Sequence, residues 1–567
     1  MQTDSELARS VDLEPISELA ARLGIPPEAV FAHGPTKAKI DYRLGERPRP
    51  ADAPRPRTVL VTAVSPTPAG EGKTLHTIGL SLALNRLGRK AACAVRQPSM
   101  GPVFGVKGGA AGGGRAQIVP MEDFNLHLTG DMHAVGAAHN LAAAALDTSL
   151  LLDNPLGVDP ARITWKRVVD VNDRALRQIE IGLGGALNGV PRTSGFEITP
   201  ASEVMAVLGL ATGWGDLRAR LGRIVVAGDK QGRAITCENL GVAGAMAAIL
   251  RETMHPTLMQ TSERTPAFVH AGPFANIAHG NSSIVADRVA ARFCDWVVTE
   301  AGFGADMGAV KYFDVKCRAS GQSPDAAVLV ATVRALKVHS GKYKVKPGTP
   351  LPVELGDEDL DALAAGCANL TAQVQNVLAF GIPVVVAINR FPTDTEAEIE
   401  LVRARALEAG ASAAKESRLF ALGGEGGLEL AEAVVAAAES GRADYRPLYA
   451  LETSIETKIE TLATRIHGAA RVEYSEVARV GIAELTAQGF GGLPVCIAKT
   501  QYSLSHDPAL HGRPIGYTFP VRAVRVAAGA GFVVVYAGDI ATMPGLGRSP
   551  GFLKVDMDAE GRIHGLF

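Results

Sequence analysis

The chain has 567 residues, 57 Lys plus Arg against 59 Asp plus Glu, and a net charge of −2. Hydrophobic residues make up 47% and charged residues 20%, which excludes a disordered or fibrous chain and predicts several domains or one large elaborated one. The near-neutral balance excludes a global field toward nucleic acid or anionic membrane and leaves room only for a local anion site.

The N-terminus has no basic segment followed by an apolar stretch, and no run of 18 apolar residues occurs. The reading is a cytoplasmic protein. Residues 5–23 read as one helix, with Ile16, Leu19, Ala20 and Leu23 on a stripe and Gly24 as its stop. A Pro- and Arg-rich linker covers 47–57. The apolar run 58–64 predicts a buried strand, then comes a turn-rich loop, a helix from about Lys73 to Leu87, and a strand at 90–95. This is a βαβ unit that opens a parallel sheet.

Further strands are expected at 223–227, 267–270, 295–299, 326–331, 384–388 and 532–536. Four of the loops that follow strands are polar or glycine-rich: Arg96–Pro98, His270–Pro273, Glu300–Asp306 and Asn389–Asp394. Ligands bind beyond the carboxyl ends of strands in open α/β sheets, so these loops are the expected site wall. Soft boundaries near 340–365 and 440–450 divide the chain. The expected fold is α/β: a P-loop NTPase-like, mostly parallel sheet core with additional smaller α/β domains. The six cysteines are far apart and mostly in apolar runs, which predicts buried thiols rather than disulfides or zinc.

Between the first strand and its helix lies Thr67-Pro68-Ala69-Gly70-Glu71-Gly72-Lys73-Thr74. It matches G-x-x-x-x-G-K-[ST] except that Thr67 replaces the first glycine. In such a loop, backbone N–H groups and the helix N-terminus cradle phosphate. Lys73 reaches the terminal phosphates, and the Thr74 hydroxyl binds Mg²⁺. The competing reading is a plain strand-to-helix turn. The chain's 62 glycines include seven within 101–114, a density that neither helix nor strand is expected to tolerate. The segment reads either as a floppy linker or, given Val103, Phe104, Val106 and Lys107, as an ordered loop lying close to a ligand or another chain segment.

Downstream, His127 and His133 are six apart, on neither a helix face nor a zinc spacing. Structural hydrogen bonding is the first reading, substrate binding the second and metal the weakest. Arg96 ends a strand, as a phosphoryl-binding fork or a surface ion-pair partner. Phe303, between two glycines, is a core plug or a ring exposed for stacking on a flat heterocycle.

The loop 67–74, the string Arg96–Gly105, the run Lys107–Gly114, residues 120–140, Pro273–Gly280, the loop 299–306, and the segments 384–395, 498–505 and 538–546 together resemble formate–tetrahydrofolate ligase. The likeness runs from Lys37 to the C-terminal segment. The resemblance implies joining formate to tetrahydrofolate with ATP, through formyl phosphate, in one-carbon metabolism. It implies ATP at 67–74 with Lys73 and Thr74, Arg96 beside formyl phosphate, and Phe303 and Phe420 against the folate. It also implies Mg²⁺ with ATP, a monovalent cation (K⁺ or NH₄⁺), and a homotetramer. On this basis the division is a nucleotide-binding domain over 1–363, an α/β part contributing to the folate cleft over 364–449, and a C-terminal α/β domain over 450–567.

The chain departs from the family's usual residues at several places. Gln97 stands where Glu is usual, which bears on the cation site. Phe420 and Leu422 replace Trp and Lys, Asn281 replaces Cys, and Arg115 replaces Tyr. Two rival readings stay open: a degenerate relative that binds folate or nucleotide without turnover, and a phosphate-loop ligase for another small carboxylate.

Overall fold

The computed structural model describes residues 3–107, 110–346 and 349–566. The apolar runs form strands whose residues are buried on both faces. Seven of them are parallel: β1 (Arg57–Ala63), β2 (Ala91–Val95), β3 (Pro266–Val269), β4 (Trp296–Glu300), β5 (Ala326–Ala331), β6 (Val384–Asn389) and β7 (Ala413–Ser417). They lie in one 12-stranded sheet in the order β3-β2-β4-β1-β5-β6-β7. The strands Thr257–Thr261, Ala38–Ile40 and Val30–Ala32 extend the β3 side in antiparallel fashion. Fold and class agree with the α/β expectation.

The pleat sends alternate residues to opposite layers. Val59, Val61, Val328 and Val330 face α1 (Lys73–Arg86) and α5 (Leu428–Glu439), where they meet Leu80, Leu84, Leu430 and Val434. Leu60, Leu329, Val386 and Ile388 face the other way, onto Leu370 and Val374 of α3 (Leu360–Leu378). Helices α2 (Ile284–Phe293) and α4 (Glu396–Glu408) complete the layers. A reciprocal cap between Thr395 and Glu398 starts α4.

Several local expectations change. Residues 5–23 form two helices, Asp4–Arg9 and Ile16–Leu23. Pro15 caps the second one, and its ring excludes the donor a continuous helix would need there. Val225–Gly228 pairs with Ala234–Thr236 in a separate two-stranded sheet, outside the large one. Phe532–Tyr536 belongs to a three-stranded sheet with Val495–Ala498 and Ala523–Ala527. The expected division at 363/364 falls between β5 and β6, which pair from Ala327↔Val384 to Ala331↔Ile388. Residues 364–417 therefore continue the first sheet. Beyond 450, Arg471–Tyr474 pairs with Thr518–Val521, and Ile497, Phe519 and Val533 share a core with Leu60 and Val386. All six cysteines are buried and free.

The 101–114 segment is ordered where it is described, and it does contain regular structure. Met100–Pro102 is a helical turn, Val103–Lys107 is a π turn, and Gly112–Gly113 pairs with Ala116–Gln117. Gly108, Gly109 and the Val106 and Lys107 side chains lie outside the described residues. Among the described residues no helix is long and apolar enough to cross a membrane.

Candidate functional site

Chain order leaves a crevice in this sheet. From β1 the chain moves two places sideways to β2, and β4 later fills the gap between them. From β5 onward it moves the other way. Such a reversal opens a crevice at the strands' carboxyl ends. The loops after β1, β2 and β4 meet there.

The loop after β1 turns on two glycines with positive φ, Gly70 (+75°) and Gly72 (+86°). Gly72 is the residue preceding α1, and no side chain caps that helix start. The first N–H groups of α1 therefore remain available, with the positive end of the helix dipole, for an anion. Asn389, at the end of β6, donates to the Glu71 carbonyl at 3.1 Å and braces the turn. His76 Nδ1 lies 2.8 Å from the Gly72 carbonyl. Burial pushes this imidazole down to about 4.

Internal carboxylates engage the cationic and hydroxyl groups of the site. Lys73 Nζ is 3.7 Å from Glu71 Oε2. Glu71 Oε1 also accepts from the Thr67 N–H at 2.6 Å and the Thr67 hydroxyl at 3.3 Å. Across the crevice, the Thr74 hydroxyl donates to Glu300 Oε2 at 2.8 Å. Arg96 brings Nε and one terminal nitrogen to within 3.4 Å of Glu300 Oε1. Its other terminal nitrogen is 3.5 Å from the Pro273 carbonyl. Arg96 is thus an inward ion-pair partner rather than a surface one.

Glu300 is the residue that sequence reading missed. It was named only as the start of a loop, yet it joins Thr74 to Arg96. The available signal was a carboxylate ending an otherwise apolar, buried strand.

Phe303 follows Glu300 at φ +63°, a conformation costly for a bulky side chain. It is half-buried, and π turns over Ala305–Ala309 and Tyr312–Cys317 follow it. A Cβ on Gly302 would sit 3.1 Å from an Arg96 nitrogen, so the turn packs directly on that guanidinium. Phe420 is 49% exposed, just beyond β7. Its carbonyl accepts from the Arg115 N–H at 2.9 Å, and its ring borders Gly113. Leu422 and Arg115 line the same hollow beside it. In the loop after β6, the Arg334 guanidinium lies over the Phe391 ring, 3.5 Å from its centroid.

Gln97 is 2% exposed, and among the described residues neither end of its amide has a partner. His127 Nδ1 and His133 Nε2 are 2.9 Å apart in a pair of stacked rings. Among the described residues no third ligand joins them and no group of His, Cys, Asp or Glu is arranged for a metal. Their spacing alone did not predict this direct pairing.

Fold and site define a class: an open, mostly parallel α/β protein with a cationic strand–loop–helix site at the sheet's switch point. A family model described as formate–tetrahydrofolate ligase matches residues 2–567. The chain is similar to the formate–tetrahydrofolate ligase of Roseiflexus sp. (strain RS-1), 56% identical over 566 residues and 100% of both chains. It is similar to that of Saccharopolyspora erythraea, 55% identical over 564 residues, 100% of this chain and 99% of the relative. The ligase of Desulforamulus reducens is 51% identical over 565 residues with the same shares. The chain belongs to the formate–tetrahydrofolate ligase family.

Proposed function

We propose that this chain ligates formate to tetrahydrofolate with ATP, giving 10-formyltetrahydrofolate, ADP and phosphate. The observation that carries the reading is the convergence of Lys73, Thr74 and Arg96 around the crevice, with Glu300 between the last two. A carboxylate oxygen of formate attacks the γ-phosphorus, the bond to the β-phosphate oxygen breaks, and ADP leaves. N10 of tetrahydrofolate then attacks the formyl carbon, the acyl carbon–oxygen bond breaks with departure of phosphate, and N10 loses its proton.

Residues 67–74 bind the phosphates, with Lys73 on the transferring group. Arg96 holds the formyl phosphate, a planar fork matched to phosphate oxygens. The internal partners Glu71 and Glu300 keep these cations in place until substrate phosphate replaces them. Thr74 and Glu300 present hard oxygen donors 2.8 Å apart, which fit Mg²⁺. Mg²⁺ held there with ATP would supply neutralising charge to the phosphates. Phe303 and Phe420 stack the folate. The unpartnered Gln97 Oε1 suits K⁺ or NH₄⁺, while its unpartnered Nε2 contributes nothing to a cation. The proposed setting is the cytoplasm, and the proposed assembly is a homotetramer. Within each chain, 450–567 forms a C-terminal α/β domain, and 364–449 contributes Phe420 to the folate cleft.

The test is direct. Protein, ATP, Mg²⁺, formate and tetrahydrofolate are mixed, acidified, and read for methenyl-folate absorbance. A signal with formate and none with acetate is expected. Ligand binding without any signal supports a non-catalytic relative, and turnover of acetate in preference to formate supports a different ligase.

A further inference from the structure

We propose that Asp306, gripped by Lys499 and Gln373, is a positioning residue for the folate half of the reaction: it holds the strained turn that aims the Phe303 ring. The inference rests on the reading of Phe303 as a ring that stacks folate, and goes beyond it in naming what sets that ring.

Phe303 sits at φ +63° between Gly302 and Gly304. A bulky residue keeps such a torsion only where its surroundings fix it. The Gly304 carbonyl accepts from the Met307 and Gly308 N–H groups at 3.1 and 2.9 Å, which runs the turn straight into the π turn over Ala305–Ala309. A Cβ on Gly304 would lie 2.7 Å from Asp306 Oδ1 and 3.2 Å from the Ser65 Cα. The turn therefore folds back onto Asp306, with no room for a side chain between them.

Asp306 is anchored from two sides. Its N–H donates to Gln373 Oε1 at 2.8 Å and its Oδ1 accepts from Gln373 Nε2 at 2.6 Å, a two-bond clamp onto α3. Its Oδ2 lies 2.7 Å from the Lys499 ammonium, and the two side chains are 1% and 0% exposed. Lys499 directly follows the strand Val495–Ala498, and its ammonium also donates to the carbonyls of Ser503 at 2.5 Å and Thr500 at 3.1 Å. Three oxygens thus surround a group that has three N–H bonds to give. Burial acts to raise the Asp306 carboxyl, but the Lys499 ammonium, His467 and the Gln373 bond together outweigh it, and the group stays below its ordinary 3.8.

A buried ion pair adds little net stability, because desolvation offsets its attraction, and its best-attested use is to fix register. Here it pins the turn that carries Phe303 to the C-terminal part of the chain. The same frame reaches the opening of the phosphate loop. Gln373 Nε2 also donates to the Ser65 hydroxyl at 3.0 Å. Asn369 donates to that hydroxyl and accepts from the Ser65 N–H, each at 3.0 Å. The Ser65 carbonyl accepts from His339 Nε2 at 2.8 Å. Ser65 therefore keeps three bonds that do not involve Gln373, and cutting the clamp at Asp306 leaves the phosphate loop in place.

The decisive experiment uses the full-length protein and calorimetry, without formate. Tetrahydrofolate and ATP are titrated separately into wild type, Phe303→Ala, Asp306→Asn and Gln373→Met. Phe303→Ala should weaken tetrahydrofolate about thirtyfold, the loss of one stacked ring. Asp306→Asn should weaken it about tenfold, and Gln373→Met, which cuts the clamp but leaves the ion pair, about threefold. ATP affinity should stay within about twofold in all three, because Ser65 keeps its other bonds. The sharpest readout is the double variant. Asp306→Asn placed in the Phe303→Ala background should weaken folate no further, since both changes act through one ring.

Additive losses in the double variant overturn the proposal, and so does wild-type folate affinity in Asp306→Asn and Gln373→Met. Equal weakening of ATP and tetrahydrofolate also overturns it, since the pair would then only hold the fold together. Should Asp306→Asn not fold, Gln373→Met enters the same cycle with the same outcomes. Non-additive folate binding with no methenyl product from wild type sinks the ligase reading alone. Methenyl product from wild type with additive losses sinks this inference alone.

Discussion

The loops that follow β1 and β2 are both glycine-rich, and they use glycine for different reasons. In the first, Gly70 and Gly72 take positive φ; a Cβ on Gly70 would meet nothing within 4 Å, and one on Gly72 would meet only the end of the Asn389 side chain closely, at 2.8 Å. Glycine there supplies backbone torsion, and the turn it makes aims N–H groups into the crevice. In the second, a Cβ on Gly101 would strike Ile198 and Asn172, one on Gly105 would strike Asn172, and one on Gly114 would land on the Phe420 carbonyl. Glycine there supplies closeness between chain segments. One composition thus serves a tight turn in one loop and packing in the other. An excess of glycine by itself does not tell the two apart.

The sharpest way to separate them is through activity. On the proposed assignment of Lys73 to the transferring phosphate, Lys73→Ala should lower kcat by about 10² or more, because the lost charge would act mainly as the reaction proceeds. Its urea midpoint should stay close to wild type, since among the described residues the Lys73 amine is partnered only by Glu71 at 3.7 Å. Arg96→Ala should behave alike in kcat. Near-normal turnover in either variant removes that residue from the site. Glu300→Gln should cost less, about tenfold in kcat. It keeps a hydrogen-bond acceptor for Thr74 but leaves Arg96 without its counter-charge. Its Mg²⁺ requirement, read by titrating the metal at fixed ATP, should rise as well. An unchanged Mg²⁺ curve would confine Glu300 to a purely structural role.

Stability separates the loops in the opposite sense. Gly114→Ala combines φ +54° with collision against a backbone carbonyl, and should cost about 3 kcal/mol in urea unfolding. Gly70→Ala meets only the torsional penalty at φ +75° and should cost about 1–2 kcal/mol. Equal losses would mean that torsion alone governs both loops.

Much of the sheet was legible because parallel strands buried on both faces read as short apolar runs, and β1, β2, β4, β5 and β6 all announced themselves that way. The strand–turn–helix at 57–86 was legible because Gly72-Lys73-Thr74 follows an apolar run and opens an apolar helix. What could not be read was the order of strands across the sheet. Glu300 meets Thr74 and Arg96 only because β4 inserts between β1 and β2, a non-local choice with no local signature. The Ser65–His339 bond depends in the same way on β5 lying next to β1. The single helix expected at 5–23 failed for a local reason: its apolar stripe begins only at Ile16, after Pro15, which starts a second helix instead of continuing the first.

The smallest expected effect distinguishes the two loops by pH. The first is braced by His76, whose Nδ1–H donates to the Gly72 carbonyl and whose Nε2 is buried without a partner among the described residues. Protonation would put a charge on that unpartnered nitrogen, which is why burial holds the group at about 4 against an ordinary 6.5. A histidine depressed on folding contributes stability that is complete above the unfolded value and is lost as pH falls through the folded one. The second loop is braced by Asp170, which accepts from the Ser99 hydroxyl at 2.6 Å and the Met100 N–H at 3.0 Å. Burial raises this carboxyl above its ordinary 3.8. A carboxyl raised on folding does the reverse: its contribution is complete below the unfolded value and declines as pH rises through the folded one. Acidification from pH 6.5 to about 4.5 should therefore loosen the first loop and spare the second. Hydrogen exchange, corrected for intrinsic rates, should show amides of 72–77 losing protection over that range while those of 99–105 hold theirs. His76→Phe should abolish the difference, because a phenyl ring has no proton to gain. Parallel loss of protection in both segments would mean that acid acts on the molecule as a whole rather than through these two braces.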